Sequence, residues 1–320
     1  MQRIFALLAV LAATTGGAAA QTYPNKPVKM VVPWPAGGVA DICARAIGEE
    51  MRATLGQPVI IENRPGASGK IGTEVVARSP ADGYTIIYTN PSNHTAPTFV
   101  DKQIGFDPIA DFTPVIQTAE ASYFLVVNAN SPYKTAKELM AAARAQPGQL
   151  NIANAGLGSV SHFALAMFLS SAKIDVVQVS YKGEGPAVND LLAGAVQMMV
   201  MTGAKPFVDD GRLRALATMS PEPWFNLPDV PPMAQAADLP GFKFVGWQGI
   251  AGPAKLPKDV QSKLNAAANT ALRSERVQNT LREGGIRPTG GAPELLEQAI
   301  KTDLATFRRV IAEAHLTFEQ

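Results

Sequence analysis

The sequence predicts an α/β protein of two lobes, in which each lobe is a mainly parallel sheet flanked by helices. Short apolar and β-branched runs alternate with segments of helical periodicity along most of the chain, which is the order of a parallel α/β sheet. Glycine-rich loops join several of these strands to the helices that follow them. The chain of 320 residues is also longer than a typical single domain, so we expect two lobes with a cleft between them.

The N-terminal segment, residues 1–20, has the pattern of a secretory signal peptide. Arg3 supplies a positive charge, an apolar run covers 4–13, and Ala18-Ala19-Ala20 offers a cleavage site. The alternative, a transmembrane anchor, needs about 20 apolar residues, and the polar residues within 14–17 interrupt this run. We therefore expect export and cleavage near Ala20 and Gln21.

The composition excludes several classes of function. The net charge of +1 gives no reason to expect binding to nucleic acid or to an acidic membrane surface. Cys43 is the only cysteine, so an intrachain disulfide is impossible, and its place on the apolar face of the first helix predicts burial. The three histidines, at 94, 162 and 315, lack metal-ligand spacing. We expect neither a metal nor a cofactor.

The first element of the mature chain is a strand, a Gly-Gly loop and a helix. Residues 28–32 form a β-branched run, and the prolines of the loop 33–38 end it. Apolar residues then recur at helical spacing from position 39 to position 47, so a helix begins near Gly38. Unpaired N–H groups at such a helix start can bind an anion. The alternative is a turn that only reverses the chain.

Two further polar loops of the first lobe leave the carboxyl ends of strands, at 63–70 and 89–94. The carboxyl ends of parallel strands meet at one edge of the sheet, where ligands bind. The candidate ligand-binding residues in this lobe are Trp34, Pro35, Ala36, Gly37, Gly38, Asp41, Ser68, Asn90 and His94. Asp41 has two interpretations: a favourable interaction with the helix dipole, or contact with an ammonium group of a ligand.

The second lobe repeats this plan over residues 123–239. Its polar loops, 154–162 and 181–186, each lead into a helix. The candidate residues here are Asn154, Gly158, Ser159, Ser161, His162 and Tyr181. Ser159 or Ser161 could cap the helix, contact a ligand, or do both. A strand over 242–250 returns to the first lobe, which therefore comprises residues 21–122 and 240–320.

The C-terminal part is predicted to be helical. One apolar stripe runs from Val260 to Leu281, and Gly284-Gly285 ends it. Pro293 suits the first position of a last helix, whose apolar face runs from Leu296 to Ile311. We interpret both stripes as core packing.

An enzyme is the competing class of function. Ser159 or Ser161 with His162 could suggest a hydrolase, but the G-x-S-x-G nucleophile motif is absent from the sequence. Paired carboxylates for acid–base chemistry are likewise not evident. We therefore do not expect an enzyme.

The chain resembles the Bug family of periplasmic solute receptors, the TctC-like binding components of tripartite tricarboxylate transporters. The resemblance covers nearly the whole mature chain in order. The residues that carry it are 23–27 (YPNKP), 31–38 (VVPWPAGG) with Asp41, 63–69 (NRPGASG), 80–85 (PADGYT), 107–115 (DPIADFTPV), 156–159 (GLGS) with Ser161 and His162, 181–183 (YKG) with 186–187 and 190–192, 227–231 (LPDVP), and Trp247.

The resemblance implies a type II-like "Venus flytrap" that is periplasmic and monomeric and binds a small organic acid. It further implies that the loops 33–38 and 154–161 grip a ligand carboxylate through backbone N–H groups, hydroxyls and ordered water. Delivery to the permease subunits of a membrane transporter is the implied role, and the alternative is a sensor that signals to a membrane partner. Neither reading identifies the acid.

The sequence departs from the family pattern at two places. Many members carry an aromatic residue and then an aspartate after the strand at 196, where this chain has Val200 and Met201. The segment 92–95 keeps its histidine but differs around it. A more apolar wall would suit a longer or partly apolar acid, whereas the alternative is that Met201 faces the core.

Overall fold

The computed structural model describes residues 23–318, and the predicted signal peptide lies outside the described residues. The strands form two sheets. The strands of the first sheet are β1 (Val28–Val32), β2 (Val59–Asn63), β3 (Thr85–Thr89), β4 (Phe112–Ser122), β10 (Val245–Pro253) and β11 (Arg287–Pro288). Their order is β11-β4-β10-β3-β1-β2. We call this sheet with its flanking helices lobe 1.

The second sheet belongs to lobe 2 and lies between β4 and β10 in the chain. Its strands are β5 (Phe124–Asn128), β6 (Asn151–Asn154), β7 (Val177–Ser180), β8 (Met198–Met201) and β9 (Leu213–Thr218), in the order β7-β6-β8-β5-β9. Only Tyr123 separates β4 from β5, so the chain passes directly from one sheet into the other. The predicted α/β fold with two lobes is confirmed.

The expectation of mainly parallel sheets needs a correction, because both sheets are mixed. In lobe 1, β1 pairs in parallel with β2 and β3, but β10 runs antiparallel to both β3 and β4. In lobe 2, β6 pairs in parallel with β7 and β8, whereas β5 runs antiparallel to β8 and β9. Helical crossovers produce parallel neighbours. The strands β5 and β10 enter from the other lobe, and each runs against its neighbours.

The helices of lobe 1 cover both faces of its sheet. They are α1 (Val39–Leu55), α2 (Lys70–Ala77), α3 (Pro91–His94), α4 (Pro97–Val100), α10 (Lys258–Leu272), α11 (Glu275–Glu283) and α12 (Pro293–Glu313). Cys43 on α1 is 1% exposed, which confirms its predicted burial, and burial raises the pKa of its thiol to about 12. The helices α1, α10 and α11 share one apolar core with the sheet.

The helices of lobe 2 are α5 (Ala136–Ala145), α6 (Val160–Ala172), α7 (Glu184–Ala193), α8 (Lys205–Asp209) and α9 (Met233–Ala236). Helix α6 is apolar on all sides, and almost all of its residues are buried. Phe163 at its start belongs to the largest core cluster of the molecule.

The predicted stripe from Val260 to Leu281 is divided between two helices. Ser274 interrupts it, and its hydroxyl accepts a hydrogen bond from the N–H of Val277 to cap α11. The residues on either side, Leu272 and Leu281, still enter the same core. The apolar periodicity continues across Ser274, but the capping serine begins a new helix there.

Helix α12 begins at Pro293 as predicted and packs on both lobes. Leu296 and Ile300 contact Trp247 of lobe 1. About two turns further along α12, Phe307 stacks on Phe163 of lobe 2 with ring centroids 4.3 Å apart. Helix α12 therefore contacts both lobes, and in lobe 1 it packs against β10, the strand by which the chain returns from lobe 2.

Candidate functional site

Two neighbouring cavities open between the lobes. The large cavity has a volume of about 1000 Å³, and the small cavity about 550 Å³. Ser92, at the start of α3, lines both. The floor of the large cavity is formed by the strands that join the lobes, at Ser122, Tyr123 and Gly246. The cavities therefore occupy the position in which a ligand would contact both lobes.

The loop 33–38 and the start of α1 form one wall of the large cavity. Trp34, Pro35, Ala36 and Gly38 line it, followed by Val39 and Ala40 of the first helical turn. No side chain caps α1, and the first hydrogen bond of the helix runs from the N–H of Ile42 to the carbonyl of Gly38. The N–H groups of the first turn are therefore free to bind an acceptor, and the helix dipole favours an anion there.

Gly37 and Asp41 hold this loop in shape and lie outside the lining of both cavities. The N–H of Gly37 donates to Asp41 Oδ2 over 2.9 Å, so it is already engaged. Asp41 is 2% exposed and also accepts hydrogen bonds from Arg45 and Asn63. Burial alone would raise the pKa of Asp41, but these hydrogen bonds outweigh it and hold the pKa below its ordinary value. The dipole and loop-capping interpretation of Asp41 fits this geometry; an ammonium contact does not.

The loop 154–162 of lobe 2 forms one wall of the small cavity, with Gly158 and Ser159 in its lining. Ser159 Oγ accepts a hydrogen bond from the N–H of His162, so Ser159 caps α6. Capping is one of the two roles that the sequence predicts for this serine, and contact with a ligand is the other. Its hydroxyl also lies 3.0 Å from that of Ser161, which accepts from the N–H of Ala155. These bonds fix the loop while leaving Ser159 at the cavity surface.

Ser68 and Asn90 also line the cleft. Ser68 lies in the short 3₁₀ turn before α2 and lines the small cavity. Asn90 lines the large cavity and caps α3 in a reciprocal pair with Asn93. Both residues therefore belong to the cavity lining.

Five other predicted site residues, Asn154, Ser161, His162, His94 and Tyr181, lie behind the cavity surfaces. His94 is fully buried, with Nε2 2.8 Å from the carbonyl oxygen of Pro108, and burial lowers its pKa to about 4. The Tyr181 hydroxyl donates to Asp190. Buried Asn154 accepts from the N–H of Gly156, so it supports the loop from below. The polar groups of these residues form hydrogen bonds that stabilise the loops and the interior of their own lobe.

The residues suggested for a hydrolase do not form a nucleophile–base pair. His162 is 3% exposed, and its Nδ1 accepts a hydrogen bond from the N–H of Gly158. Ser159 and Ser161 are hydrogen-bonded to each other and not to the imidazole. Burial lowers the pKa of His162, so the ring stays neutral behind the loop.

Several lining residues escaped the sequence-based prediction. They are Ser92, Tyr123, Glu184, Thr202, Gly203, Lys205, Gly246, Trp247 and Gln248 in the large cavity, and Lys70, Val100, Leu157, Lys182 and Gly183 in the small one. Six of them had a signal, because they lie in loops that were already predicted to face the cleft: Lys70, Ser92, Leu157, Lys182, Gly183 and Glu184. Tyr123 and Gly246 lie in or next to strands that cross between the lobes, and nothing local marks them.

The two loops predicted to grip one carboxylate line different cavities in this structure. The loop 33–38 faces the large cavity and the loop 154–161 the small one. Ser92 is the residue at which the two cavities meet. A ligand at that junction would lie between the start of α1 and the start of α6.

Within residues 23–318, none of the helices is long and apolar enough to cross a membrane. No group of three His, Cys, Asp or Glu side chains in that range could hold a metal ion.

The chain is similar to a known protein family and to individual relatives over most of its length. The family model described as the tripartite tricarboxylate transporter family receptor matches residues 43–316. A UPF0065 protein of Pseudomonas sp. (strain P51), encoded in the tcbD-tcbE intergenic region, is 37% identical, with 100% of this chain and 96% of the relative covered. Protein BugT of Bordetella pertussis is 33% identical, with 98% of each chain covered.

Solved structures give the same result. Rpa4515 of R. palustris, solved with adipate, has a TM-score of 0.78 at 32% identity, over 92% of this chain and 98% of that one. MatC of Rhodopseudomonas palustris, solved with malate, has a TM-score of 0.74 at 33% identity, over 90% and 100%. The similarity extends over both lobes in each case.

Proposed function

Because this chain belongs to the tripartite tricarboxylate transporter receptor family, we propose that it binds a small carboxylate between its lobes and delivers it to a membrane transporter. Members of the family are periplasmic substrate-binding receptors rather than enzymes. The adipate and malate in the two related structures support a carboxylate as the ligand class.

The uncapped start of α1 is the observation that carries the proposal. Its first-turn N–H groups have no side-chain cap, and Gly38, Val39 and Ala40 line the large cavity. These N–H groups are accessible from the cavity, and a carboxylate supplies two oxygens that can accept hydrogen bonds from them. A nearly neutral protein can select an anion in this way, because helix starts are electropositive without carrying a formal charge.

We place the carboxylate at the junction beside Ser92, with the N–H groups of Gly38 and Val39 on one side and Ser159 on the other. The rest of the acid would extend into the large cavity. Contacts to both lobes exist together only when the cleft is closed, so the ligand would shift the population towards a closed form. In this arrangement lobe 1 comprises residues 21–122 and 240–320, and lobe 2 comprises residues 123–239.

The remaining parts of the proposed role concern export and partners. We propose that signal peptidase cleaves near Ala20 and Gln21, and that the mature monomer meets permease subunits of a tripartite transporter. Membership of a transporter receptor family favours transport over a sensor that signals to a membrane partner.

Gly38→Val tests the binding site directly. A Cβ at Gly38 would meet nothing nearer than the carbonyl of Pro35 at 3.7 Å, and its φ of −77° suits any residue, so the fold should be retained. The added side chain would block close approach to the first-turn N–H groups. We expect mass spectrometry to identify a copurifying acid with the wild type and not with the variant.

Gly185→Val is the matched control, because a Cβ there also meets open space and Gly185 lies outside both cavities. The control should retain the acid. If Gly38→Val, with an unchanged circular dichroism spectrum, retained the same acid at wild-type affinity, the proposed site would be wrong.

A further inference from the structure

Glu184 is a carboxylate placed inside a cleft that we propose to bind a carboxylate. It is the first residue of α7, is half-buried, and lines the large cavity. Its Oε1 accepts hydrogen bonds from both the N–H and the hydroxyl of Thr202, over 3.1 and 3.2 Å. These bonds give Glu184 a structural role between α7 and the loop after β8, but they use only one of its two oxygens.

The second oxygen of Glu184, Oε2, has no hydrogen-bond partner among the described residues. Among residues 23–318 it has no hydrogen bond and no cation within ion-pair distance. It lies 3.5 Å from the point where a Cβ on Gly203 would stand, so the absence of a side chain at Gly203 leaves it accessible. Glu184 therefore presents an unused acceptor and a negative charge to whatever occupies the large cavity.

Tyr123 is a second polar residue in the lining of the large cavity. Its ring is buried against Phe244, and no side-chain hydrogen bond engages its hydroxyl within the described chain. Burial raises the pKa of Tyr123 well above its ordinary value, and the negative charges of Glu184 and Asp303 raise it further. The hydroxyl thus stays protonated and can both donate and accept.

The other charges of the large cavity lie near its exposed edge and balance one another. Lys205 donates to both oxygens of Asp209, over 2.8 and 3.0 Å. Arg282 and Glu283 are adjacent and exposed at the end of α11. These four groups sum to zero, so the carboxylate of Glu184 is the uncompensated charge of the inner cavity.

We propose that the ligand is a carboxylic acid whose far end carries a hydrogen-bond donor, a hydroxyl or an ammonium group, held by Glu184 Oε2 and the Tyr123 hydroxyl. This inference rests on the proposed function, because it takes the acid's carboxylate to lie at the junction beside Ser92. A second carboxylate at the far end would face Glu184 at short range and would be rejected. The cleft is thereby polarised, with electropositive helix starts at one end and an acceptor at the other.

Acids that differ only in their far end provide the test. One set is hexanoate, 6-hydroxyhexanoate, 6-aminohexanoate and adipate, and the shorter set is butyrate, 4-hydroxybutyrate, 4-aminobutyrate and succinate. Calorimetry on the ligand-free mature chain should show that the hydroxy or amino acid of the better-fitting length binds about tenfold or more tightly than the dicarboxylate. A preference for the hydroxy or for the amino member identifies which donor is used.

Glu184→Gln separates charge from shape. Glutamine keeps an oxygen that can accept both bonds from Thr202, so the loop should be retained. The variant should lose the discrimination against the dicarboxylate, again by about tenfold. Glu275→Gln is the matched control, because Glu275 also begins a helix but lies outside both cavities, and its ranking of the acids should equal that of the wild type.

The possible failures are distinguishable. If the wild type bound adipate or succinate as tightly as the hydroxy and amino acids, or if Glu184→Gln left the ranking unchanged, this inference would be overturned while the receptor function stood. If no acid of either set bound to the wild type, the proposed function would fail, and the inference with it.

Discussion

At the scale of single residues, the carboxyl groups of buried Asp41 and half-buried Asp303 show how the surroundings of an acid set its pKa. Asp41 accepts hydrogen bonds from Gly37, Arg45 and Asn63, and its pKa is lowered despite its burial. Asp303 on α12 accepts from Trp247 Nε1 over 2.8 Å and from the hydroxyl of Thr95 over 3.3 Å, and within residues 23–318 it forms no ion pair. Burial therefore dominates there and raises the pKa of Asp303 to about 7.

The raised pKa of Asp303 predicts a pH dependence of stability. The folded state holds the proton up to about pH 7, whereas the unfolded chain releases it near pH 4, so unfolding releases a proton between these values. This contribution is therefore favourable at low pH and is lost as the pH rises towards and through 7. Relative to Asp303→Asn, the wild type should lose about 1.4 kcal/mol of unfolding free energy per pH unit in that window.

Urea unfolding of both proteins from pH 5 to pH 8 measures this difference. His94 and His162 have lowered pKa values in the folded state, so unfolding takes up protons on them in part of this range, but both proteins carry these histidines and their contributions cancel. Asparagine can still accept the hydrogen bonds from Trp247 and Thr95, so the two proteins should differ only in the titration of residue 303. Parallel stability curves for the two proteins would contradict the prediction.

At the scale of elements, the helix starts around the cleft differ in how their N–H groups are satisfied. Ser159 caps α6 and Asn90 caps α3, whereas α1 and α7 have no side-chain cap. Loops with positive-φ glycines precede three of these helices. At Gly158, a side chain is also excluded because the two lobes approach each other closely there. A Cβ there would lie 2.4 Å from Cγ1 of Val100 on α4 of lobe 1. The glycine thus lets the lobe 2 loop touch lobe 1.

Gly158→Ala should cost more than its backbone conformation explains. Gly158 has φ = +72°, which costs alanine about 1 kcal/mol, and the contact with Val100 should add about 1–3 kcal/mol as overpacking. Gly194→Ala is the matched control, because Gly194 has φ = +80° with open space around it. Denaturant unfolding of both variants measures the difference. Equal losses would show that the contact across the lobes is unimportant.

At the scale of the whole molecule, two strand crossings and one helix connect the lobes. The chain crosses at Tyr123 and again ahead of β10, next to the floor of the large cavity. Helix α12 reaches from Trp247 in lobe 1 to Phe163 in lobe 2. Trp224 of lobe 2 donates to the carbonyl of Gly285 in lobe 1, and Arg287 lies over the Trp224 ring. Relative motion of the lobes must therefore be accommodated at these connections and at the other contacts between the lobes, such as Gly158 against Val100.

Ligand binding should stabilise the whole molecule by linkage. An acid that binds the folded state at about 100 times its dissociation constant adds about 2.7 kcal/mol. Unfolding entropy scales with length, so for a mature chain of about 300 residues the melting temperature should rise by about 4 °C. The same acid should reduce the radius of gyration in small-angle X-ray scattering if closure accompanies binding. A melting shift without any compaction would indicate binding without closure.

Local pattern determined much of this protein. The run of β1, the glycine loop and α1 could be predicted from a few residues, because strand, turn and helix start each have short-range signals. The apolar stripe of α12 likewise predicted a helix from Pro293 and its buried face, since periodicity is a property of consecutive residues. The burial of Cys43 followed from the same reasoning.

Tertiary structure alone decided which polar residues reach the cleft. His94, His162 and Tyr181 were predicted site residues, but each found a partner inside its own lobe. Tyr123 and Gly246 entered the large cavity because the strands that cross between the lobes form its floor. The mixed pairing of the two sheets also depended on where β5 and β10 enter. These features arise from contacts between residues far apart in sequence, and short-range preferences carry no information about such contacts.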